Sequence, residues 1–210
     1  QVLGILEGLP LDAERERACA AQDLAAQRGE KAGERGLDER MLHWWIEALR
    51  CAFADRAKHL GDPKFHAVPL ADLLSSRWIS QRRISIGERA HPEVGAWAPR
   101  EGANTTHLSV LDRQGNAVSL TTTLNETFGS GQLVRAGGFL LNNEMDDFAL
   151  AENSPNTFGL VGGAANAPAP GKRPLSSMCP TVLREGGHAN VLVLGSPGGP
   201  RIISSVFQVI

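Results

Sequence analysis

Thr105-Thr106-His107-Leu108-Ser109-Val110-Leu111-Asp112, then Arg113-Gln114-Gly115-Asn116, then Ala117-Val118-Ser119-Leu120-Thr121-Thr122-Thr123 is the stretch that decides the fold class. Its two flanks alternate with a period of two around a glycine-containing centre, which predicts a β-hairpin. Immediately upstream, residues 88–104 carry Pro92, Gly95, Pro99 and Gly102, a density of breakers that regular structure does not tolerate. This is the expected linker. Before it the texture is helical. Asp12 to Lys31 is rich in Ala, Glu, Arg and Gln, all good helix formers. Asp38 is placed to cap a second helix on which Leu42, Trp45, Ile46, Leu49 and Phe53 recur at helical spacing, and Gly61 and Pro63 supply the stop. A third helix is predicted from Leu70 to about Gln81, with Leu70, Leu73, Leu74 and Trp78 on one side. These stripes read as core faces. After the hairpin, Gly138-Phe139-Leu140-Leu141 and Val191-Leu192-Val193-Leu194 predict well-buried strands, Ala164 to Arg173 a loop, and Ile202 to Ile210 a helix. The expected class is α+β, with a helical first half and a β-rich second half.

Composition narrows the function classes. The 210 residues are 42% hydrophobic and 21% charged, as in an ordinary globular protein. Lys plus Arg is 21 against 23 for Asp plus Glu, and no basic block stands out, which argues against a nucleic-acid partner. The apolar runs are too short to span a bilayer. Cys19, Cys51 and Cys179 are far apart and form no CxxC pair, so they offer neither a zinc site nor a disulfide framework and read as buried or partly exposed thiols. The start at Gln1-Val2-Leu3, without Met or a signal-type segment, and the apolar end Ser205-Val206-Phe207-Gln208-Val209-Ile210 lead us to expect a piece of a longer protein.

Four stretches could carry chemistry, and each has an ordinary alternative. Thr105 and Thr106 open a strand after a linker, a place where threonine is also simply a β-former. Gly195-Ser196-Pro197-Gly198-Gly199-Pro200-Arg201 lies between a strand and a helix, where backbone N–H groups could hold an anion or an oxyanion, or merely make a tight turn. It lacks the spacing of a phosphate P-loop. Asn142-Asn143-Glu144-Met145-Asp146-Asp147 gathers acids and amides after a strand, as would a solvated loop or a calcium contact. Ser176-Ser177 could donate to a carboxylate or form a turn.

Their order is more specific than any one of them. Thr105-Thr106-His107-Leu108-Ser109-Val110, Gly115-Asn116-Ala117-Val118 and Thr123-Leu124-Asn125 resemble the start of the small subunit of γ-glutamyltranspeptidases. So do Leu141-Asn142-Asn143-Glu144-Met145-Asp146-Asp147-Phe148, Lys172-Arg173-Pro174-Leu175-Ser176-Ser177-Met178-Cys179-Pro180-Thr181 and Gly195-Ser196-Pro197-Gly198-Gly199. Ala54-Asp55-Arg56 and Leu60-Gly61-Asp62-Pro63 resemble the end of that family's large subunit. The likeness covers at least residues 52 to 205, in family order.

The resemblance implies an N-terminal-nucleophile hydrolase, part of an αββα sandwich whose precursor cuts itself. Residues 1–104 would then be the C-terminal part of the large subunit and 105–210 the N-terminal part of the small subunit, with cleavage between Asn104 and Thr105. The freed α-amine, with an ordinary pKa of about 7.7–8.0, would serve as base for the Thr105 hydroxyl. By the same likeness Thr123 hydrogen-bonds the nucleophile, and Asn125, Glu144 and Asp147 hold the donor's α-amino group. Ser176 and Ser177 take its α-carboxylate, and the N–H groups of Gly198 and Gly199 form an oxyanion hole. Asn153 to Gly159 matches a lid, with Phe158 where some relatives place Tyr, a residue this chain lacks altogether. Many bacterial relatives carry Gln at the position of Glu144. The family's arginine for the carboxylate has no counterpart among these residues.

The implied reaction is γ-glutamyl transfer and hydrolysis on glutathione and other γ-glutamyl compounds, with amino-acid or dipeptide acceptors. It needs no cofactor and no metal, and the sequence shows no metal-ligand spacing. The missing remainder of the two subunits is the expected partner, and a periplasmic or secreted location is implied. Alternatives within the fold are a glutaryl (cephalosporin) acylase or a poly-γ-glutamate-processing enzyme. Outside enzymology the alternative is an uncleaved, inactive fragment.

Overall fold

The computed structural model describes residues 1–28, 39–90, 105–151, 155–184 and 191–210. They divide into two compact units, Gln1–His59 with Val68–Ala96 and Leu60–Ala67 with Trp97–Ile210. The expected linker lies outside the described residues from 91 onward, as do Asp38 and Asn104.

The first unit is helical: α1 (Val2–Glu7), α2 (Leu11–Gln27), α3 (Glu39–His59), α4 (Leu70–Leu73) and α5 (Ser76–Ile84). The single helix predicted over 70–81 is two. Ser75 is extended, and its side chain accepts from the Trp78 N–H at 3.2 Å, so it caps α5 rather than continuing α4. On α3 the leucine–isoleucine stripe is not the inner face. Leu42 and Ile46 are exposed, while Glu47, Ala48, Cys51 and Asp55 are buried. Ion pairing makes that reversal tolerable, because a buried carboxylate is stable only when it is paired and hydrogen-bonded. Glu47 pairs with Arg50 at 2.7 Å, and Asp55 accepts from Arg82, from Trp78 Nε1 at 2.9 Å and from Gln1. Burial pushes the Asp55 carboxyl up, but the donors of Arg82, Trp78 and Gln1 outweigh it and hold it below its ordinary value. Arg83 ties α5 to α1 by donating to the carbonyls of Ile5 and Gly4, at 2.8 and 2.7 Å.

The second unit is built from hairpins. Strands β1 (Thr105–Leu111) and β2 (Ala117–Thr123) pair antiparallel in the hairpin that the alternation predicts, and their register sets Thr105 opposite Thr123. The Asp112 carboxylate closes their turn by accepting from the N–H groups of Gln114 and Asn116, at 2.9 and 2.8 Å, while Gly115 takes φ +84°. Strands β3 (Leu133–Val134) and β4 (Phe139–Leu140) form a second pair, and β5 (Thr181–Arg184) and β6 (Val191–Leu194) a third. Two 3-10 turns cover Glu144–Asp147 and Ala164–Asn166, and α6 spans Arg201–Val209 with Ile202 and Val206 buried. Hydroxyls join the first hairpin to β6. Ser109 donates to the Val193 carbonyl at 3.1 Å and Ser119 to that of Leu194 at 2.9 Å.

The strands expected to be well buried are not. Phe139 is 54% exposed and Leu192 42%. Leu108, Val110, Val118 and Leu120 are exposed as well, and register puts them on one face of the β1–β2 hairpin. Among the described residues each sheet has two strands, too few to enclose both of its faces.

Candidate active site

The β1–β2 register does the first positioning. Thr105 opens one strand and Thr123 closes the other, so the two side chains meet across the hairpin, and the Thr105 hydroxyl donates to Thr123 Oγ1 at 3.3 Å. That oxygen also accepts the Asn125 N–H at 2.9 Å. Asn125 is 5% exposed and adopts φ +74°, a left-handed conformation that asparagine tolerates better than most residues. The bend lets its Nδ2 donate to the Asn143 carbonyl at 3.2 Å, which fastens the end of β2 to the acidic turn.

Thr105, Thr123 and Asn125 line a cleft of about 340 Å³, open to solvent, together with Asp147, Phe158, Ser176, Ser177 and Gly199. Residues far apart in the chain thus reach one cavity. Glu144 and Gly198 are not among the lining residues, although each neighbours one of them. Glu144 shares a side-chain hydrogen bond with Asp147; burial raises its pKa above the ordinary 4.5, and that bond acts in the opposite direction. Gly198 and Gly199 have φ values of +127° and +55°, and their carbonyls accept the N–H groups of Arg201 and Ile202, both at 3.1 Å, at the start of α6.

Phe158 stands over Gly199. A Cβ on that glycine would lie 3.2 Å from the Phe158 ring. The loop carrying Phe158 is shaped by Asn156, whose Oδ1 accepts from the N–H groups of Phe158 and Leu160, at 3.0 and 2.9 Å. Its Nδ2 donates to Asp147 Oδ1 at 3.4 Å. Residues 152–154, which include the start of the lid matched by sequence, lie outside the described residues. Outside the cleft lining, Asp62 clamps Arg173, in the segment leading to Ser176. It is 5% exposed and accepts from the Arg173 N–H and Nε, both at 3.0 Å, from Arg173 Nη2 at 2.9 Å and from the Lys64 N–H. These donors, Arg173 first, hold the Asp62 carboxyl far below its ordinary value.

A model of the gamma-glutamyltranspeptidase family matches residues 1–210, the whole chain. This chain belongs to that family. It is 44% identical over 194 residues to a glutathione hydrolase proenzyme of Pseudomonas aeruginosa, covering 90% of this chain and 35% of that one. To the glutathione hydrolase proenzyme of Escherichia coli it is 48% identical over 169 residues, 78% of this chain and 29% of that one. The chain therefore spans about a third of the length of these curated relatives. A solved structure of a mutant γ-glutamyltranspeptidase from Pseudomonas nitroreducens aligns with 50% of this chain and 53% of its own, at 58% identity and a TM-score of 0.47. A cephalosporin acylase from Bacillus halodurans aligns with 67% of this chain and 24% of its own, at 30% identity and the same TM-score, 0.47.

The motifs contain most polar residues of the cleft but do not single out its apolar walls. Leu160, Met178, Pro200 and Ile202 also line the cleft. Asp62 and Arg173 are 111 positions apart, and an acid beside Gly61 and an Arg before Pro174 become a pairing signal only once the fold brings them together. Among the described residues no cluster of His, Cys, Asp and Glu could hold a metal, and no helix is long and apolar enough to cross a membrane. Cys51 is buried, Cys179 half-buried and Cys19 exposed.

Proposed function

We infer that the parent protein is a γ-glutamyltransferase and glutathione hydrolase that works through a γ-glutamyl ester on Thr105. The observation that carries this reading is the convergence of Thr105, Thr123, Asn125, Asp147, Ser176, Ser177 and Gly199 on one cleft. In the precursor the Thr105 hydroxyl attacks the Asn104 carbonyl. The resulting ester is hydrolysed by water, which leaves a carboxylate on Asn104 and a free α-amine on Thr105. Residues 1–104 then close the large subunit, and 105–210 open the small one. The amine takes the hydroxyl proton as Thr105 Oγ1 attacks the donor's γ-carbonyl, and it returns that proton to the leaving amine. N–H groups of Gly198 and Gly199 steady the oxyanion, a contribution of about 3–4 kcal/mol per donor in comparable enzymes. Water, an amino acid or a dipeptide then takes the acyl group.

Asp147, with Glu144 and Asn125, receives the donor's ammonium, and the Ser176 and Ser177 hydroxyls its α-carboxylate. Phe158 closes the cleft by packing alone, since it has no hydroxyl. The exposed face of the β1–β2 hairpin is the surface on which the remainder of an αββα sandwich would pack, and a periplasmic or secreted location fits the bacterial relatives.

An acidic receiver next to the nucleophile favours donors that carry an α-amino group over glutaryl donors, which lack one. Full-length protein should hydrolyse γ-glutamyl-anilide much faster than glutaryl-anilide, and Thr105→Ala should abolish both activities. Faster glutaryl turnover would move the protein to the acylases; activity surviving in T105A would remove Thr105 from the mechanism.

A further inference from the structure

Asn166 is 3% exposed, ends the 3-10 turn Ala164–Asn166 and does not line the cleft. Both ends of its carboxamide are nonetheless used. Nδ2 donates to the backbone carbonyl of Asp147 at 2.8 Å, and Oδ1 accepts the N–H of Leu175 at 3.0 Å. Its own carbonyl accepts the Ala149 N–H at 3.0 Å. Asp147 is the cleft's acidic receiver, and Leu175 immediately precedes Ser176 and Ser177. One planar group therefore spans the two loops that carry opposite poles of the cleft. The turn is itself braced: Lys172 Nζ donates to the carbonyls of Ala165 and Ala167 at 2.9 and 2.7 Å, and a Cβ on Gly162 would lie 2.9 Å from the Ala149 side chain.

We propose that Asn166 is a positioning residue that sets the separation between the amine receiver Asp147 and the carboxylate receivers Ser176 and Ser177, and so determines selectivity for donors bearing both groups on one carbon. This rests on the reading of the cleft given above. An α-amino acid holds its ammonium and carboxylate at a fixed short separation, so the receivers must be held at a matching one. A carboxamide can do this because it is planar and carries N–H donors at one end and an acceptor oxygen at the other. An aspartate at 166 keeps the acceptor for Leu175 but sets a carboxylate oxygen against the Asp147 carbonyl. Thr105 and Thr123 make their bond within the hairpin, independently of Asn166.

The test is Asn166→Asp and Asn166→Ala in the full-length protein, with self-cleavage, kcat and KM measured on γ-glutamyl-anilide and glutaryl-anilide. Cleavage should persist, and kcat should stay within a few-fold. KM for the γ-glutamyl donor should rise roughly tenfold, the scale expected when a buried hydrogen bond loses one partner. The glutaryl donor, which never uses the amine receiver, should change far less, so the ratio between the two donors falls. Proportional loss on both donors, or no change in their ratio, would overturn the positioning role while leaving the reaction intact. Failure of both variants to yield soluble, self-cleaved protein would assign Asn166 to folding and overturn it too. A native protein inactive on γ-glutamyl-anilide would overturn the reaction and, with it, this inference.

Discussion

At the scale of single residues, the acidic turn makes the sharpest statement. Glu144 titrates above its ordinary 4.5 because burial disfavours its charged form, with the Asp147 hydrogen bond working against that rise. The folded protein thus keeps a proton that the unfolded chain has already released. By linkage this group's contribution to stability declines as pH rises through the interval from 4.5 up to its raised value. Glu144→Gln removes the titration. Thermal unfolding of native and E144Q proteins, followed from pH 4 upward, should diverge across that interval in favour of the variant. Parallel curves would show that Glu144 is not held in a desolvating site.

At the scale of elements, the β1–β2 hairpin is the most legible part of the chain. Alternation and a glycine turn fix its register, and the register alone sets Thr105 opposite Thr123. Helix α6 is equally readable, because Ile202 and Val206 are one turn apart on a strongly amphipathic segment. Where the reading went astray, local pattern competed with partners it could not see. Ser75 interrupts a leucine-rich run because its hydroxyl caps the following turn. On α3 the buried acids take the inner face only because Arg50, Arg82 and Trp78 are positioned to satisfy them. Most polar residues of the cleft stand in the motifs that carry the family resemblance, whereas the bonds of Asn166 depend on a tertiary arrangement that no spacing reveals. Close approach gives a further prediction at this scale. A Cβ on Gly195 would lie 2.2 Å from the ring of His107, which is itself held between Thr121 and Ser109. Gly195→Ala should therefore lower thermal stability by about 1–3 kcal/mol through overpacking and cut activity by shifting the loop to Gly199. An unchanged melting temperature would contradict the packing of His107 on this loop.

At the scale of the whole molecule, the proposed cut falls between segments that remain joined without it. Leu60–Ala67 precedes Thr105 yet belongs to the same compact unit as the residues that follow. Its anchors are the buried Asp62, with three bonds to Arg173, and Gly61, where a Cβ would lie 2.2 Å from the Ala165 carbonyl. After cleavage these become bonds between two chains. Asp62→Ala strands the Arg173 loop without its acceptor, so the cleaved protein should separate into its two chains at lower denaturant, and KM for γ-glutamyl donors should rise. Equal resistance of native and D62A proteins to separation would show that the segment is not a latch.

On the function proposed above, Thr105 becomes an N-terminal nucleophile only when the chain is cut before it. Intact mass of the full-length protein and of Thr105→Ala, measured under denaturing conditions, tests it most directly. The native protein should give two fragments whose masses place the break between Asn104 and Thr105, and T105A one uncut chain. An uncut native protein that still turns over γ-glutamyl donors, or a T105A chain broken at the same bond, would contradict it.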